Sequence, residues 1–169
     1  MTKRLAVPLC FFVMIAAGCD SDRISKLEKE NQEMKAKLDK SNAAIEYDLQ
    51  AKCSKDARVW FNENWQRDKD TLLLDYSNHY NVKQNKCFIL IEYHFNSLLA
   101  YTGGNSWTND MTLMNVYENS KYAEFTENHI TNWKPTIETR EEVITCDVLG
   151  EKCKTADEFN NLSRPYMND

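Results

Sequence analysis

Cys87-Phe88-Ile89-Leu90-Ile91-Glu92-Tyr93-His94-Phe95 decides the fold. At a period of two, Cys87, Ile89, Ile91, Tyr93 and Phe95 share one face. Phe88 and Leu90 begin the other, which turns polar at Glu92 and His94. The stretch reads as a central strand, apolar on both sides at its start and on one side at its end. Thr71 to Tyr76, a short apolar run, precedes it. Asn78-His79-Tyr80-Asn81 and Gln84-Asn85-Lys86 between them are rich in turn formers.

Working outward, Gly103-Gly104-Asn105 reads as a loop. Leu113 to Glu118 and Lys121 to Thr126 flank Asn119-Ser120, a hairpin with a weaker turn signal than Asn-Gly. Pro135 ends a connecting segment. Between Val143 and Lys154 the sequence is symmetric about Leu149-Gly150. A two-residue turn there sets Val148 against Glu151, Asp147 against Lys152 and Cys146 against Cys153. Cys146–Cys153 is therefore the preferred disulfide, which leaves Cys53–Cys87 to tie a helix to the main strand. The shorter loop is worth about 2–3 kcal/mol and the longer about 4 by chain entropy. Thr155-Ala156-Asp157-Glu158 is a capping box. It opens a C-terminal helix with Phe159 and Leu162 inward, stopped by Pro165 and the polar tail.

Upstream, residues 22–50 contain no Gly or Pro, and Tyr47 is their one aromatic residue. Ile24, Asn31, Leu38 and Ile45 fall seven apart, and so do Leu27, Met34 and Ser41, three residues later. This is an a/d heptad over three repeats. Glu33–Lys37, Lys29–Glu33 and Lys35–Asp39 add charge pairs along one helix. The two readings are a parallel homodimer through residues 24–48, with Asn31 selecting its register, and a single solvated spacer helix. The pattern then drifts to Leu49, Cys53, Ala57, Trp60, Phe61 and Trp65, a broader 3.6-period face with large aromatics. A helix from Ile24 to the Trp60 region is about 55 Å long, and it enters a globular domain near residue 50.

The chain begins Met1-Thr2-Lys3-Arg4, and Leu5 to Ala17 follows without a charge. That run is shorter than the roughly 20 residues of a membrane span. A positive start, a short apolar core and a small-residue end mark a secretory signal. Its end, Ala16-Ala17-Gly18-Cys19, resembles the lipobox of bacterial lipoproteins, although Ala16 stands where Leu is commoner. The resemblance implies cleavage before Cys19, a diacylglycerol thioether on that cysteine and an acylated amine. One acyl chain holds a protein only marginally, whereas several make a durable anchor. Asp20 resembles the sorting residue that retains such proteins in the inner membrane, facing the periplasm. The organisation expected is a signal over 1–18, a lipid-anchored helical stalk over 19–50 and an α+β domain over 51–169.

Cleavage would remove Lys3 and Arg4 and shift the net charge from −5 to −7. An acidic chain without a basic run argues against nucleic acid. In an exported protein Cys53, Cys87, Cys146 and Cys153 read as disulfides rather than metal ligands or nucleophiles. The few glycines assemble no dinucleotide fingerprint or phosphate loop. His79, His94 and His129 are far apart; His79 and His94 are the pair that a hairpin could bring together, and no metal or other cofactor is expected. Adjacent acids such as Glu141-Glu142 and Asp157-Glu158 suit solvated faces and caps, so the chain reads as non-catalytic. All but three of its 19 aromatic residues follow residue 50, and core packing takes most of them. Trp107 and Trp133 are the candidates left for contact with an envelope protein partner. A small-ligand or inhibitor-type binding domain is the alternative, for which a concave aromatic pocket would speak.

Overall fold

The computed structural model describes residues 18–97, 105–131 and 139–168. The order is α1 (Gly18–Asn64), β1 (Thr71–Asn81), β2 (Lys86–Ser97), β3 (Asn105–Asn115), β4 (Ser120–Thr131), β5 (Thr139–Val148), β6 (Glu151–Lys152) and α2 (Ala156–Met167). It is an α+β fold. The six strands form one antiparallel sheet in sequence order, each beside its predecessor. Contacts divide the chain into two units, with the break after Ile45. Residues 21–48 are exposed throughout, and Leu49 and Gln50 are the first half-buried positions. Among the described residues no helix is long and apolar enough to cross a membrane.

In the second unit the sheet is buried on both faces, each by one helix. Leu49, Cys53, Ala57, Trp60 and Phe61 of α1, with Trp65 just past its end, pack against Leu74, Tyr76 and Tyr80 of β1 and Cys87, Ile89, Ile91 and Tyr93 of β2. This is the 3.6-period face and the odd-numbered strand face expected from the sequence. Phe88 and Leu90 point the other way, into a core of Met111, Leu113, Ala123, Phe125, Cys146 and Val148, closed by Phe159, Leu162, Tyr166 and Met167 of α2. The strand Cys87–Phe95 is interior, between β1 and β3. Both faces of its first half are dry because a helix lies on each.

The disulfides divide between the faces. Cys53–Cys87 joins α1 to β2, with Cα atoms 5.4 Å apart. Cys146–Cys153 closes the last hairpin, with Cα atoms 5.0 Å apart. In that hairpin Val148 opposes Glu151 and Asp147 opposes Lys152. Leu149 and Gly150 form its two-residue turn, both at positive φ. The Lys152 Nζ lies 2.8 Å from Asp147 Oδ2. The Gly150 N–H also donates to Asp147 Oδ1, so both groups hold the Asp147 carboxyl below its ordinary range.

Four local expectations are corrected. Asn78-His79-Tyr80-Asn81 is strand, not turn, and the turn is Val82–Asn85. The reason is that α1 supplies partners to this edge: Gln50 Oε1 accepts the Tyr80 N–H at 2.7 Å, and Ser54 Oγ donates to Asn78 Oδ1 at 2.8 Å. The β3–β4 hairpin turns through Val116–Asn119 rather than Asn119-Ser120, with Asn115 opposite Ser120 and Asn119 in the left-handed region. Pro165 does not stop α2, which continues to Met167. Its missing N–H costs one bond near a helix end, and the carbonyls there find another donor: buried Asn81 Nδ2 donates to Pro165 O at 2.8 Å. In the capping box, Thr155 Oγ1 accepts the Glu158 N–H. The Glu158 carboxylate, however, accepts from the Lys154 N–H rather than from Thr155.

Cys19 and Asp20 fall in the first turn of α1. Residues 1–17 of the expected signal, the Gly103-Gly104 loop, Trp133 and Pro135 lie outside the described residues.

Candidate functional site

The sheet outruns its helices. Beyond the reach of α2, on the face that carries Phe88 and Leu90, the strands continue as Glu92, His94, Trp107, Asn109, Glu127, His129 and Glu141. Strand register brings them together: His94 opposes Asn109, Trp107 opposes His129, and His129 opposes Glu141. Residues directly opposite in an antiparallel pair project on the same side, so these form one patch.

Trp107 is its centre. The His129 ring stacks on the indole, with centroids 3.7 Å apart and planes 4° from parallel. His94 approaches the indole from β2, at 5.4 Å and tilted by 37°. His129 Nε2 lies 3.1 Å from Glu127 Oε2, and its Nδ1 lies 3.5 Å from Glu141 Oε1. Both imidazole nitrogens thus face carboxylates. His94 Nε2 lies 3.0 Å from Glu92 Oε1, but the pair is not aligned as a hydrogen bond and the nitrogen is buried. The result is a half-buried aromatic platform rimmed by three carboxylates. It can stack against a planar or apolar group and attract a cation at its edge.

Of the tryptophans singled out from the sequence, Trp107 lies in this patch and Trp133 lies outside the described residues. The expected approach of His79 and His94 is corrected. His79 opposes Phe88 whereas His94 opposes Leu73, so the two stand at opposite ends of the β1–β2 hairpin. His94 and His129 instead each approach Trp107, from the strands on either side of it. The i,i+2 spacing of Glu127 and His129 was a readable sign of a shared face. The partnership with Trp107 needs two strand registers that no local pattern specifies. Among the described residues, no group of three or more His, Cys, Asp or Glu is placed to hold a metal ion.

The opposite face is polar beyond α1. Asp110, opposite Tyr93, is half-buried beside Thr126. Burial pushes its carboxyl above the ordinary value of 3.8, partly offset by a hydrogen bond from Thr126. Thr108 Oγ1 donates to Asn128 Oδ1 at 2.8 Å on the same face.

A concavity of about 450 Å³ lies beside the end of α2, lined by Asn81, Lys83, Gln84, Arg164, Pro165 and Asn168. Among the described residues its lining includes no aromatic side chain. No family model matches this chain, and no curated protein or solved structure is significantly similar to it.

Proposed function

We propose that this chain is a lipid-anchored accessory protein of the bacterial cell envelope, attached through Cys19, that acts by binding a protein partner and not by catalysis. The observation that carries the reading is the sequence from Lys3-Arg4 through the uncharged run to Ala16-Ala17-Gly18-Cys19, which resembles a lipoprotein signal. Two disulfides are in keeping with an exported domain, because thiols stay reduced in the cytosol. Asp20 directs the anchor to the inner membrane. The Trp107 platform, with its carboxylate rim, is the surface offered to the partner: tryptophan is enriched where interfaces bind tightly.

Metabolic labelling with an alkyne fatty acid tests the anchor. The chain should take up label and sediment with membranes, and Cys19→Ser should do neither. A Cys19→Ser chain that still carries label would refute the assignment.

A further inference from the structure

We propose that residues 24–45 of α1 pair with the same residues of a second copy of this chain, as a parallel, in-register, two-stranded coiled coil. This inference does not rest on the lipid reading. In one copy the whole seam is bare: Ile24, Leu27, Met34, Leu38 and Ile45 are each more than half exposed. Residues 18–45 nevertheless form unbroken helix. A lone helix gains nothing from five apolar side chains repeating at 3.5 residues, whereas a pair buries them.

The charges beside the seam name the occupant. With Ile24, Asn31, Leu38 and Ile45 at a, the g positions are Arg23, Glu30 and Lys37, and the e positions are Glu28, Lys35 and Asn42. In a parallel coil each g residue faces the e′ residue five positions on. That sets Arg23 against Glu28 and Glu30 against Lys35 of the second copy. Both contacts are attractive, each occurs twice, and Lys37 against Asn42 is neutral. Asn31 selects the same arrangement. In register it meets its own copy and can exchange amide hydrogen bonds. In an antiparallel pair it would face an apolar d residue and leave its amide unsatisfied.

The test uses the full chain in its own cells. Ser41→Cys places a thiol at a d position, facing its copy across the axis; Ala36→Cys places one at f, pointing away. After mild oxidation Ser41→Cys should run as a dimer on a non-reducing gel. Ala36→Cys and the unmodified chain should give at least about fivefold less, since f positions do not meet. Adding Glu30→Lys sets like charges together twice per dimer and should weaken pairing about tenfold. Adding Lys35→Glu as well should restore it. Peptide mapping of Cys53–Cys87 and Cys146–Cys153 shows whether each variant is folded. Equal cross-linking at positions 36 and 41, no cross-link at 41 in a folded chain, or no rescue by the double reversal would each overturn the proposal.

Discussion

The two faces of the sheet are built from the same alternating strands, yet they are secured differently. On one, α1 runs almost directly into β1, but Cys53–Cys87 ties it to the next strand, β2, and spans 34 residues. On the other, α2 follows the last hairpin directly, and Cys146–Cys153 spans only seven. That loop takes in the end of α1, its connection and all of β1, so closing it orders a longer stretch of chain. Helix α2 is delivered by local structure: a two-residue turn, a short disulfide and a Thr155 cap. Its far end is then held by the Asn81 amide together with the packing of Tyr166 and Met167.

That contrast can be broken by experiment. Replacing Cys53 and Cys87 with Ala should cost about 4 kcal/mol, and replacing Cys146 and Cys153 about 2.5 kcal/mol, following the chain entropy of the two loops. Urea unfolding of both variants measures the order, and a larger loss from the short loop would overturn it. Asn81→Ala comes next, at about 2 kcal/mol, because it strips a buried donor from the Pro165 carbonyl. Hydrogen exchange should locate the loosening in the last turn of α2. Uniform exchange across the sheet would deny the residue its gripping role.

The smallest effect tests the polar half of the α1 face. The folded chain holds the Asp110 carboxyl above its ordinary value of 3.8. Between that value and the raised one, the folded state binds more protons than the unfolded state. The charged carboxylate therefore destabilises the fold at pH 7, and the penalty fades as pH falls through the raised value. Asp110→Asn should unfold at a slightly higher urea concentration than the parent at pH 7. The difference should shrink as pH falls through the raised value and vanish only below 3.8. An advantage that persists unchanged below pH 3.8 would show that titration of Asp110 is not its source.

Most of the architecture was legible because it is written in local periodicity. The period-two stretch at Cys87–Phe95 and the 3.6-period face from Leu49 to Trp65 are inherent in the order of side chains. So is the mirror symmetry about Leu149-Gly150, which specified a register and with it a disulfide. The misreadings fall where a distant group overrides a local preference. Asn78 to Asn81 carries turn formers, yet Gln50 and Ser54 from α1 bond this edge and keep it extended. Pro165 ends helices in isolation, yet it lies within the last turn of α2, where the Asn81 amide takes its carbonyl. The candidate site was half legible. Trp107 stood out as a large aromatic beside glycines, but His94 and His129 did not.

By itself the sequence determined the two helices, the strand-rich middle, both cysteine pairings and the heptad seam, all of which depend on spacing along one chain. The tertiary structure decided where the sheet outruns its helices, and so which side chains meet around Trp107. The physical reason is that register between strands separated by loops is set by burial of the whole sheet. A shift by one residue would turn every core side chain to the opposite face, and no single stretch of sequence carries that constraint.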